Sequence, residues 1–161
     1  MPTLTEHRPR AVAAPISAVS PSTARAARVN SGVNRILFVD RGTAWRDQLG
    51  AFRHGWNLRF ASSRAEALSA LAADPYDLII TELDLPETDG VTLLAEVRAR
   101  WPQTARILVT GRADQEASLR ALPVCHQLIR KPCDAGQLWQ LVERTHSLHG
   151  LMRNAELRAL V

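Results

Sequence analysis

In Asp77-Leu-Ile-Ile-Thr-Glu-Leu-Asp-Leu-Pro-Glu-Thr-Asp-Gly90 an apolar run passes straight into a group of carboxylates and a proline turn. A short, continuous apolar run bounded in this way reads as a strand buried on both faces, as the strands of a parallel sheet are. Carboxylates at its end point to phosphoryl or metal chemistry. Three other segments end alike: Ile36-Leu-Phe-Val-Asp40 on an acid, Arg106-Ile-Leu-Val-Thr110 on a hydroxyl, and Gln127-Leu-Ile-Arg-Lys131-Pro132 on an amine. In a parallel sheet these four side chains gather at the carboxyl edge of neighbouring strands, where open α/β sheets bind their ligands.

Between the strands lie helical patterns. The spacing predicts strands over 35–39, 57–61, 77–81, 106–109 and 126–129. A helix over 43–53 puts Trp45, Leu49 and Phe52 on one face. Ser63 with Glu66 forms a capping box for a helix that turns Ala67, Leu68, Leu71 and Ala72 inward, and Asp74-Pro75 closes it. Asp89 caps a third helix with the stripe Val91, Leu94, Val97 and Trp101, which Pro102 ends. A short helix over 114–122 follows. Asp134 with Gln137 opens a last one, in which Leu138, Leu141, Val142, Thr145 and Leu148 are spaced for burial. Five strands alternating with five helices through short links make an α/β protein with a doubly wound five-stranded parallel sheet.

The chain of 161 residues, 46% of them hydrophobic, suffices for one core with extensions. The expected organisation is a disordered basic Ala/Pro/Ser-rich tail over 1–34, a domain over 35–148, and a C-terminal helical extension over 149–161 that could also serve a homodimer. The tail has four arginines against one glutamate and so carries +3 of the net +4. The folded part is then nearly neutral, which argues against a nucleic-acid partner. No apolar run reaches the ~18 residues that span a bilayer, so no membrane partner and a cytoplasmic location are expected. Nineteen arginines leave Lys131 as the only side-chain amine. Cys125 and Cys133 flank the fifth strand at a spacing that matches no zinc or redox motif, and they read as a reduced pair with one member packed.

The four strand ends resemble, from about Arg35 to Thr145, the receiver domain of bacterial two-component response regulators. The resemblance implies flavodoxin-like strand order 2-1-3-4-5. It also implies an acidic pair after the first strand, a phosphate-accepting aspartate after the third and four residues ahead of a proline, a Thr or Ser after the fourth, and Lys-Pro after the fifth. This chain supplies Asp40, Glu82, Thr110 and Lys131-Pro132, with Pro86 following Glu82. It departs from the pattern in two places, since the second acid is Arg41 and the acceptor is Glu82. A third departure is Leu128, three before Lys131, where an aromatic switch residue usually sits.

In such receivers an aspartate attacks the phosphorus of a phosphohistidine, while Mg²⁺ held by the acids neutralises the oxygens. Phosphoryl transfer is mostly positioning and charge stabilisation. Glu82 carries its carboxylate out by one methylene, and a misplacement of ~1 Å can cost ~10²-fold in rate. Phosphorylation at Glu82 is therefore expected to be slow or absent, and its charge imitates the phosphorylated state beside Lys131 and Thr110. Asp40, Arg41, Glu82 and Lys131 sum to zero charge, so no cofactor is expected, with Mg²⁺ held weakly if at all through Asp40 and Glu82. Were Arg41 turned inward, its repulsion of a cation at ~4 Å would be several kcal/mol at an effective dielectric of ~20. Its stem can also carry the guanidinium out to water. The sequence leaves both poses open.

The leading expectation is a non-enzymatic phosphorelay module that is independent of phosphorylation. It would act by protein–protein interaction through its fourth helix, fifth strand and fifth helix, on a histidine kinase or an output domain supplied in trans. The alternative is a receiver still phosphorylated by a histidine kinase, at Glu82 or at Asp84 as a substitute. A third reading starts from Phe38-Val-Asp40-Arg-Gly-Thr43, which resembles the start of haloacid-dehalogenase-type phosphatases, although Gly42 stands where their second aspartate would be. The run from Cys125 to Asp134 is also similar to receivers that precede metal-dependent phosphohydrolase-like domains.

Overall fold

The structure, a computed structural model, describes residues 34–49, 55–111 and 115–160. The expected tail up to Val33 and the burial of Phe52 lie outside the described residues. Five strands, β1 (Asn34–Val39), β2 (Trp56–Ala61), β3 (Leu78–Glu82), β4 (Ala105–Thr110) and β5 (Gln127–Arg130), form one sheet in the order β2-β1-β3-β4-β5. Every pairing is parallel. Five helices accompany them among the described residues: α1 (Ala44–Leu49), α2 (Arg64–Ala73), α3 (Gly90–Arg100), α4 (Gln115–Ala121) and α5 (Ala135–Ala159).

Strand side chains alternate between the two faces, and the core divides accordingly. Leu37, Val39 and Ile79 face α2, α3 and α4, where they meet Ala67, Leu71, Leu94, Val97 and Ala121. Ile36, Phe38 and Ile80 face α1 and α5, where they meet Trp45, Leu49, Leu138 and Val142. Helices on both faces remove both sides of the central strands from water, which is why β3 reads as an unbroken apolar run.

Helix starts follow the capping residues. The Asp89 side chain accepts the Thr92 N–H at 2.7 Å. Asp134 and Gln137 form a complete reciprocal box at the start of α5. At α2 only half of the expected box forms. Ser63 Oγ accepts the Glu66 N–H, but the Glu66 carboxylate accepts the N–H and hydroxyl of Ser62 instead. Two expected core residues are exposed, Ala72 and Leu148, the latter 51%. Ala70 and Trp139 are buried in addition. At Leu148 α5 is still packed on the domain, since the next residue, His149, bonds the Gln103 carbonyl at 2.8 Å, and the helix runs on to Ala159. The expected extension is therefore continuous with the last helix of the domain. Both cysteines are free and half-buried.

Candidate functional site

The order of strands reverses around β1, which has β2 on one side and β3 on the other. Such a switch point opens a crevice at the carboxyl ends of the strands. Register fills it. Val39 pairs with Thr81, so Asp40 follows beside Glu82. Glu82 pairs with Val109, which puts Thr110 one step further out, and Thr110 pairs with Arg130, which puts Lys131 next. The Lys131 N–H donates to the Thr110 carbonyl at 2.8 Å, fixing the start of the β5–α5 connection.

Glu82 and Lys131 form an ion pair through Oε1 and Nζ. The Glu82 side chain is 16% exposed and that of Lys131 38%. The ammonium also lies 5.9 Å from the centre of the Trp45 ring, within cation–π range. Trp45 is held by the core, with Phe38 5.8 Å away, so a rigid aromatic backs the lysine. The apolar spacing of α1 marks Trp45 in the sequence, and the tertiary structure adds its contact with the ammonium.

Asp40 is buried. Its Oδ1 accepts the Gly42 N–H at 2.9 Å, closing a local turn of the kind Asp favours. Burial raises the Glu82 pKa above its ordinary value, the Lys131 ammonium opposes this, and the hydrogen-bonded Asp40 carboxylate beside it adds to the rise. Thr110 is buried at the same edge. Arg41 is exposed, which resolves its two poses in favour of the outward one. Asp84 is exposed, and Leu128 is half-buried against the α2–α4 side of the core.

Gly90 was not singled out as a site residue, yet it shapes the connection after β3. Its N–H donates to the Leu83 carbonyl at 2.7 Å. A Cβ here would come within 2.2 Å of the Glu82 carbonyl oxygen and 2.8 Å of Leu108 Cδ1. Only glycine lets the chain pass so close behind the acceptor position.

Mg²⁺ requires near-octahedral oxygen ligation at ~2.0–2.1 Å. Asp40 and Glu82 are the carboxylates at this edge, one oxygen of Glu82 bonds an ammonium, one of Asp40 bonds a backbone N–H, and position 41 carries a guanidinium. A cation here would meet one side-chain carboxylate fewer than the resemblance implies. No group of three or more His, Cys, Asp or Glu among the described residues is placed to hold a metal. His126 beside Cys125 is also committed, since its Nδ1 accepts the Arg106 N–H at 3.0 Å.

The description "Response regulator receiver domain" matches residues 36–143. The regulatory protein AtoC of Escherichia coli is 31% identical over 133 residues, or 81% of this chain and 28% of AtoC. The response regulator protein PilR of Pseudomonas aeruginosa is 33% identical over 85 residues, or 52% of this chain and 19% of PilR. The chain thus spans only 19% and 28% of the length of these two relatives. Among solved structures, the signal receiver domain of an HD domain-containing protein from Pseudomonas fluorescens Pf-5 is similar with a TM-score of 0.72 at 29% identity, covering 77% of this chain and 94% of that one. A CheY-like receiver domain protein from Methanospirillum hungatei JF-1 gives 0.70 at 25% identity, covering 74% of this chain and 98% of its own.

Proposed function

Because the chain belongs to the response regulator receiver family of two-component signalling, we propose that it is a receiver whose output is set without phosphorylation. The observation that carries this is the Glu82–Lys131 ion pair. In a phosphorylated receiver the conserved lysine pairs with the phosphoryl group; here a glutamate at the acceptor position already holds it. The lysine's partner is built into the chain, so Lys131 needs no phosphoryl group to be paired. Arg41 and the short donor set support the absence of a Mg²⁺ requirement, and Leu128 supports a response without an aromatic switch.

Receivers are signalling modules rather than turnover enzymes, and we assign no catalytic residue. The phosphatase reading loses support at Gly42, whose N–H bonds Asp40 where a second acid would be needed. The partner is a protein that docks on α4, β5 and α5, a face on which Leu119 and Leu122 are exposed. A histidine kinase, an output domain in trans, or a second copy each fits that role. The likeness to the receiver of an HD domain-containing protein favours an output domain. Among the described residues no helix is long and apolar enough to cross a membrane, and we place the module in the cytoplasm.

The test is incubation of the full chain with a small phosphodonor and Mg²⁺, followed by intact-mass measurement. The expected result is no phosphoryl adduct. The double variant Glu82→Asp with Arg41→Asp is expected to regain Mg²⁺ binding, read as quenching of Trp45 fluorescence. An adduct on most unmodified molecules would overturn the proposal.

A further inference from the structure

At the opposite, amino edge of the sheet a cavity of about 140 Å³ is lined by Arg35, Asn57, Arg59, Asp74 and Tyr76. Its floor follows from register. β1 and β2 pair Arg35 with Asn57 and Leu37 with Arg59, so Arg35, Leu37 and Val39 share one face with Asn57, Arg59 and Ala61. Toward the carboxyl edge that face is apolar and packed, with Leu37, Val39 and Ala61 in the core. At the amino edge it becomes polar, and Asn57 and Arg59 are left exposed.

The polar groups around this cavity are unevenly satisfied. Arg35 Nη1 pairs with Asp74 at 3.1 Å, and the Asp77 carboxylate is occupied by the Arg35 backbone N–H at 2.8 Å. The Arg59 guanidinium has no hydrogen bond or ion pair among the described residues. Tyr76 is only 7% exposed, yet its hydroxyl has no hydrogen-bond partner among the described residues. Its backbone carbonyl, by contrast, accepts the Thr104 hydroxyl at 3.0 Å. Its ring packs in the core while the residue lines the cavity. Burial raises the Tyr76 pKa, which keeps the hydroxyl protonated as a donor.

We propose that this cavity is a second ligand site, for a small phosphate-bearing molecule held by the Arg59 and Arg35 guanidinium groups with hydrogen bonds from the Tyr76 hydroxyl and the Asn57 amide. The charge has the right sign, two guanidinium groups against one carboxylate in the lining. The cavity, about 140 Å³ and half-open to solvent, has room for a phosphate group. The donor count favours phosphate over carboxylate. Two guanidinium groups, a phenol and an amide offer more N–H and O–H groups than the roughly four acceptor sites of a carboxylate can take, and Arg forks match phosphate oxygens. The module then has a chemical input at the edge remote from Glu82.

The experiment is a ¹H–¹⁵N titration of the full chain with inorganic phosphate at constant ionic strength, with sodium chloride and acetate as parallel arms. Phosphate is expected to give saturable shifts at Asn57, Arg59 and Tyr76. Arg59→Gln, at an exposed position, should weaken the apparent affinity at least about tenfold, and Tyr76→Phe by a smaller factor. Acetate binding as tightly as phosphate, shifts centred on Thr110 and Lys131 instead, or an affinity unchanged in Arg59→Gln would each overturn the proposal.

Discussion

A single methylene separates Glu82 from an ordinary acceptor, and its consequence is visible in where the chain's only lysine goes. Lys131 lies between the Glu82 carboxylate and the Trp45 ring. Because the folded-state pKa of Glu82 is raised above 4.5, the native state favours its protonated form. That contribution is fully present below about pH 4.5 and is lost as the pH rises through the raised value. Lys131→Met removes the ammonium that opposes the rise and leaves two carboxylates side by side. It should therefore destabilise the protein by on the order of 1–2 kcal/mol at pH 7.5 and by clearly less at pH 4. Urea unfolding at the two pH values measures this, and an equal loss at both would show that the pair is not what lysine stabilises. Identity was legible at these positions: Asp40, Glu82, Thr110 and Lys131 each end a segment whose pattern is plain in the sequence. Direction was not. Whether Arg41 turned in or out depended on what else filled the pocket, and the structure leaves it exposed.

At the scale of elements, the connection from β3 to α3 depends on Gly90. Gly90→Ala would drive a Cβ into the Glu82 carbonyl, an atom that cannot rotate away. The expected loss is at least in the ~1–3 kcal/mol range typical of overpacking, measured by chemical denaturation. At the other edge His126 links β4 to β5 by accepting the Arg106 N–H. Burial, with the charges of Arg106 and His149, lowers its pKa to about 4. The neutral ring thus contributes stability that is present above pH 6.5 and is lost as the pH falls from 6.5 through 4. Unfolding free energies measured at pH 7, 5.5 and 4.5 should decline less steeply in His126→Gln than in the unmodified chain. Caps at Ser63, Asp89 and Asp134 were readable because side chain and backbone partner lie within three residues. The partner of Glu66 was not, since Ser62 and Ser63 compete for it at nearly equal reach. Ala72 and Leu148 failed for a different reason: helical spacing allows a wider inward stripe than forms, and the neighbours Leu71 and His149 take the packed positions instead.

For the whole molecule, α5 tests where the domain stops. It is one unbroken helix to Ala159, but Leu151, Met152, Leu157 and Leu160 are all exposed. Deleting 151–161 should change the unfolding free energy by less than ~0.5 kcal/mol, as for exposed surface in general, and a denaturant midpoint shifted beyond that would move the domain boundary outward. The sequence by itself determined the class of fold, the five strands and the four side chains that close them, because burial on two faces and local capping write themselves into residue periods of two, 3.6 and three. Strand order came from resemblance to a family rather than from any period. Only the tertiary structure decided that Glu82 reaches Lys131, that Trp45 backs the lysine, and that Tyr76 lines one cavity with Arg35 and Arg59 at the far edge. Those facts join residues tens of positions apart, and such proximity is set by how parallel strands fall into register, a global outcome that no local window of sequence contains.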